Sequence, residues 1–127
     1  MKKLLISLLS ILGFCCGCSA DSIPDMKPAA FAQMIKADTA AVVLDVRTPQ
    51  EFDEGHLKGA SLLDVKDSEA FDKGIATLDK NKHYYVYCRS GRRSMKACEI
   101  MKKKGFSVTN LDGGIIAWEK DKLPIVK

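Results

Sequence analysis

Hydrophobic and polar positions along this chain follow two alternating rhythms after an apolar start. Ala41-Val42-Val43-Leu44-Asp45-Val46 is an apolar run broken by one carboxylate, the pattern of a strand buried on both faces. His83-Tyr84-Tyr85-Val86-Tyr87 predicts a second such strand by its aromatic and β-branched content. Ala60 to Val65 and Val108 to Leu111 are two more candidates. Between these runs the apolar residues recur at helical spacing. Phe31, Met34 and Ile35 follow Pro28, which suits a first helical turn. Thr48-Pro49-Gln50-Glu51 reads as a capping box opening a short helix that Gly55 ends. Phe71, Ile75 and Leu78 mark a helix that Ser68 can cap, weakened by Gly74. Ala97, Cys98 and Met101 share one face of a helix from Ser94 to Lys104, with Gly105 as its C-cap. Ile115 to Lys120 is a last short helix.

Strands that alternate with helices point to an α/β fold, a parallel sheet flanked by helices on both faces. Ligands in such folds sit beyond the carboxyl ends of the strands. Two segments occupy that place: Asp45-Val46-Arg47 and Cys88-Arg89-Ser90.

The beginning of the chain obeys neither rhythm. Met1-Lys2-Lys3 is charged, Leu4 to Phe14 is apolar without a polar face, and small residues follow. The run is too short to span a bilayer comfortably and too uniform for a core helix. It reads as an export leader over residues 1–20. Gly17-Cys18-Ser19 resembles a bacterial lipoprotein processing site, with Cys18 as the lipid-bearing first residue after cleavage. Cys15 departs from that pattern, which usually has Leu there, and ordinary cleavage after Ala20 is the alternative. Residues 21–127 are then one domain, with Ser19 to Lys27 as a short tether. The expected location is the periplasmic side of a bacterial membrane, or the soluble periplasm.

Composition changes this picture little. The 127 residues make one small domain, 46% hydrophobic and 28% charged. The formal charge of +4 falls to +2 once Lys2 and Lys3 are set aside. That bias is too weak to argue for nucleic acid, and no basic patch is interleaved with aromatics. After processing at Cys18, Cys88 and Cys98 are the free thiols, which is not a disulfide framework. The chain is expected to act as a monomer.

The informative positive charge is local. In Tyr87-Cys88-Arg89-Ser90-Gly91-Arg92-Arg93-Ser94 a buried strand ends and a helix begins. The residues between must form a tight loop, and Gly91 supplies the freedom to wrap it. Such a loop turns successive N–H groups inward and makes an anion-binding nest at a helix start. A cysteine at its edge has its thiolate favoured. An inert core thiol is the plain alternative, but a core position is not followed by six polar or glycine residues.

Five segments in order resemble the rhodanese (sulfurtransferase) family. They are Val43-Leu44-Asp45-Val46-Arg47-Thr48-Pro49-Gln50-Glu51-Phe52, Gly55-His56-Leu57-Lys58-Gly59-Ala60, Cys88-Arg89-Ser90-Gly91-Arg92-Arg93-Ser94, Leu111-Asp112-Gly113-Gly114-Ile115 and Ala117-Trp118. The resemblance runs from about Met26 to the C-terminus. It implies that Cys88 attacks the outer sulfur of thiosulfate or a related anion and holds a persulfide. Arg89, Ser90, Gly91, Arg92, Arg93 and Ser94 are the implied substrate-binding set. A thiol or cyanide then takes the sulfur, with no metal or organic cofactor. The alternative is a non-enzymatic persulfide carrier serving a partner protein. Cysteine-dependent phosphatases share the architecture but place five residues between cysteine and arginine; here four separate Cys88 from Arg93.

The remaining marked residues have quieter readings. Asp45 and Arg47 can support the active face or form a structural ion pair. Arg93 adjoins the helix start and can hold the loop's shape instead of touching substrate. His56 reads as structural, Cys98 and Trp118 as core, Lys102-Lys103-Lys104 as a solvated helix end, and the tyrosines as sheet residues.

Overall fold

The computed structural model describes residues 22–127. Five strands form one sheet: β1 (Asp25–Met26), β2 (Ala41–Asp45), β3 (Ser61–Leu62), β4 (His83–Tyr87) and β5 (Ser107–Leu111). Their order is β1-β5-β4-β2-β3, and every pairing is parallel. The helices are α1 (Pro28–Ala37), α2 (Pro49–Glu54), α3 (Ser68–Ile75), α4 (Arg92–Lys103) and α5 (Gly114–Lys120).

Successive side chains of a strand point to opposite faces, so each central strand feeds two cores. Tyr84 and Val86 pack with Leu44, Phe71, Cys98 and Met101 on one face. Tyr85 and Tyr87 pack with Phe31, Leu57, Leu111 and Trp118 on the other. Phe31 meets both Tyr85 and Trp118 edge-on, at centroid distances of 5.6 and 6.3 Å. This double-sided burial is why β2 and β4 read as continuous apolar runs.

The structure departs from the sequence expectations in four places. The tether is shorter than expected, because Asp25 and Met26 pair with Asn110 and Leu111 as an edge strand. Two residues are too few to carry a strand pattern. The strand expected over Ala60 to Val65 shrinks to Ser61–Leu62. Asp67, not Ser68, caps α3, its carboxylate accepting from the Ala70 N–H at 3.1 Å. Helix α4 begins at Arg92, with Gly91 as its N-cap at φ +103°. The leader and its lipidation candidate Cys18 lie outside the described residues.

Candidate active site

Cys88 follows β4 directly and is 1% exposed. Its sulfur accepts from the Gly91 N–H at 3.1 Å and from the Ser94 hydroxyl at 3.3 Å. The N–H groups of Ser90 and Ser94 also donate to it. Burial pushes the thiol pKa up, but these four donors outweigh it and the value falls below that of an ordinary cysteine. A left-handed Gly91 lets the loop turn its N–H groups inward, since a side chain there would be strained.

The loop's carbonyls need partners on the outside, and the start of α5 supplies them. The Ile115 N–H donates to the Cys88 carbonyl at 2.9 Å, and that of Ile116 to the Arg89 carbonyl at 3.2 Å. These are helix N-terminal donors with no partner in their own helix. Gly114 makes the approach possible, because a Cβ there would run into the Arg89 carbonyl. Asn110, 1% exposed, braces the loop from below. Its amide donates to the Gly91 carbonyl at 3.3 Å and to Asp25 Oδ1 at 3.0 Å. Both neighbours are acceptors, which fixes the amide's orientation and leaves Asn110 Oδ1 without a protein partner.

The other carboxyl-end segment forms a separate buried network. Arg47 grips Asp45 through Nε and Nη2, the latter at 2.7 Å, and donates to the Gly55 carbonyl at 2.7 Å. The Tyr87 hydroxyl donates to Asp45 Oδ2 at 2.6 Å and accepts from the Leu57 N–H. Burial and the Asp45 charge hold that phenol far above its ordinary range. Asp45 is fully buried and committed here, which is the structural ion pair.

The three arginines of the loop separate by role. Arg93 is bound through both terminal nitrogens to Glu51, at 2.9 Å each. The Arg93 contact and the Thr48 capping box lower the Glu51 pKa to about 2 against a smaller burial penalty. Arg93 therefore ties α4 to α2, and its hydrogen-bonding edge is occupied. Arg89 and Arg92 are exposed and make no ion pair among the described residues. Cys88, Ser90, Gly91 and Ser94 are thus gathered around one sulfur, with Arg89 and Arg92 outside it.

Beside the loop lies a cleft of about 330 Å³, walled by Arg47, Glu51, Glu54, Arg89, Glu119 and three isoleucines. Cys98, by contrast, is sealed inside α4. Among the described residues no cluster of His, Cys, Asp and Glu could hold a metal, and no helix is long and apolar enough to cross a membrane. Reading the sequence missed Asn110, Glu54, Glu119 and the loop-bracing use of the α5 N-terminus. Glu51 was legible only as a cap; its arginine partner lies 42 residues away.

A cysteine sulfur in a cradle of hydrogen-bond donors, at the carboxyl edge of a five-stranded parallel sheet, is an arrangement that can stabilise a thiolate. The rhodanese-like domain family matches residues 27–121, and the chain belongs to that family. It is 36% identical over 102 residues to YtwF of Bacillus subtilis (strain 168), which carries "sulfurtransferase" in its name; the match covers 80% of this chain and 96% of YtwF. It is 40% identical over 92 residues to a sulfurtransferase of Allochromatium vinosum, covering 71% and 83% of the two chains. A rhodanese-related protein from Thermoplasma volcanium superposes with a TM-score of 0.73 at 28% identity, over 81% of this chain and 97% of that one. These likenesses support a role in sulfur transfer.

Proposed function

We propose that the protein moves sulfane sulfur from thiosulfate or a related anion to a thiophilic acceptor through a persulfide on Cys88. The observation that carries this reading is the Cys88 sulfur, buried yet met by four hydrogen-bond donors. A thiolate there attacks the outer sulfur of the donor, the donor's sulfur–sulfur bond breaks, and sulfite leaves with the bonding pair. The outer sulfur stays on Cys88. The inward N–H groups can stabilise the negative persulfide as they do the thiolate. Arg89 and Arg92 stand free to draw the anion in. An arginine committed to Glu51 and a four-residue spacing both argue against phosphoryl transfer.

Incubation with thiosulfate should add the mass of one sulfur atom at Cys88, and cyanide should then release thiocyanate catalytically. Uptake of sulfur without turnover would mark a carrier that serves a partner protein instead. No uptake from any sulfane donor would overturn the reading.

We further infer export and lipid attachment at Cys18, supported by Gly17-Cys18-Ser19 after a short apolar run. Cys18→Ala should move the protein from the membrane to the soluble fraction. Wild-type protein recovered soluble and beginning at Asp21 would support ordinary cleavage.

A further inference from the structure

The cleft beside the Cys88 loop is not the cationic funnel that a site for small anions alone calls for. Two of its charged walls are already engaged. Arg47 is held by Asp45 and the Gly55 carbonyl, and Glu51 is held by Arg93. Three charges face solvent with no ion pair among the described residues: the carboxylates of Glu54 and Glu119 and the guanidinium of Arg89. Ile115, Ile116 and Ile125 supply an apolar wall. The cleft is tied to the nucleophile through the chain. Arg89 follows Cys88, and the Ile115 and Ile116 N–H groups hold the carbonyls of Cys88 and Arg89.

An anionic thiol gains from Arg89 but is repelled by the two carboxylates in the same cleft. A small molecule with an ammonium beside its thiol, and a carboxylate at its other end, meets opposite charge on both sides. We propose that Glu54, Glu119 and Arg89 select the sulfur acceptor, favouring a zwitterionic aminothiol of the cysteine type over an anionic thiol. This rests on the persulfide reading of Cys88. The acceptor's thiolate attacks the outer sulfur of the Cys88 persulfide. One sulfur–sulfur bond forms and one breaks. Cys88 leaves as thiolate into its cradle, and the acceptor departs as a perthiolate. The sulfur moves without net oxidation, and the acceptor's thiol proton goes to solvent. Glu54 and Glu119 touch the ammonium and not the reacting atoms, so their effect is on selectivity.

The test compares wild type with the Glu54→Gln/Glu119→Gln double variant at low ionic strength. Cysteine and 3-mercaptopropionate serve as acceptors from persulfide-loaded protein. Intrinsic thiol reactivity cancels when the two proteins are compared. The kcat/KM ratio of cysteine over 3-mercaptopropionate should fall about fivefold in the variant, as expected for two solvent-exposed charges, and the difference should shrink in salt. A second readout needs no sulfur transfer: the modification rate of Cys88 by a cationic and an anionic methanethiosulfonate, located by peptide mass. That ratio should fall in the same direction. Unchanged ratios in both assays would overturn the proposal while leaving the persulfide mechanism intact. A Cys88 that loads no sulfur overturns the functional reading and the acceptor assignment together, and the reagent rates then show separately whether the cleft sorts charge.

Discussion

Cys88 and Cys98 are the same chemical group at nearly the same depth, 1% and 0% exposed, yet their surroundings push them in opposite directions. Burial pushes the Cys98 thiol up to about 12, and among the described residues no group donates to it. Burial pushes Cys88 up too, but three N–H groups and a hydroxyl bring it below its ordinary value. Depth therefore does not decide how far the thiolate is stabilised. What decides it is whether the backbone around the sulfur has N–H groups to spare. In the middle of α4 every N–H near Cys98 belongs to the helix. At the entry to α4 the N–H groups of Ser90 and Gly91 precede the helix and that of Ser94 lies in its first turn; none has a helical partner, and they turn to Cys88.

The strongest way to break this comparison is to exchange the thiols for hydroxyls. Cys88→Ser should abolish persulfide formation, because a hydroxyl is a poor nucleophile here and cannot store sulfane sulfur. Cys98→Ser should keep transfer and cost about 1–3 kcal/mol of stability, read by denaturant unfolding, for a hydroxyl in an apolar core. Loss of transfer in Cys98→Ser would make Cys98 a working thiol and end the contrast.

The arginines come next. Arg89→Ala and Arg92→Ala should each lower kcat/KM for thiosulfate by about tenfold, their solvent exposure placing them at the low end for charge-assisted contacts. A neutral sulfane donor should lose much less. An equal loss for both donors would mean that these arginines shape the loop and do not steer anions.

Ser94→Ala removes one of four donors and tests the cradle directly. The pH profile of Cys88 alkylation should move up by roughly one unit, as for the loss of one hydrogen bond to an anion. Cys98 alkylation in the unfolded chain is the internal reference. An unmoved profile would mean that the backbone donors suffice alone.

The smallest expected effect concerns the tie between α2 and α4. Glu51 has its pKa lowered from 4.5 to about 2, so its contribution to stability is complete above about pH 4.5 and fades as the pH falls through 2. Arg93→Ala should flatten the acid limb of stability in that window, followed by circular dichroism, and should loosen the loop's far side. If wild type and variant lost stability in parallel over that range, the Arg93 contact would be idle.

Much of the fold was legible because its signals are local. The β2 and β4 runs, the Thr48 capping box and the apolar face of α4 each lie within about ten residues, and the structure shows all of them. Edge elements were legible only in part: β1 carried no signal, and β3 was expected over the longer Ala60 to Val65. Both have two residues and pair with a neighbouring strand that offers free backbone groups, so the residues themselves do not fix where pairing starts and stops. The same division runs through the site. Cys88, Ser90, Gly91 and Ser94 form one contiguous loop whose geometry follows from a strand running into a helix.

The sequence alone therefore determined the Cys88 loop and the parallel α/β class, because each depends on residues close together along the chain. Only the tertiary structure decided which arginine is spent on Glu51, which amide braces Gly91, that the start of α5 satisfies the loop's carbonyls, and that Glu54 and Glu119 share a cleft with Arg89. Those pairings join residues tens of positions apart. Burial and the demand of polar groups for partners select them once the sheet has brought its carboxyl ends together.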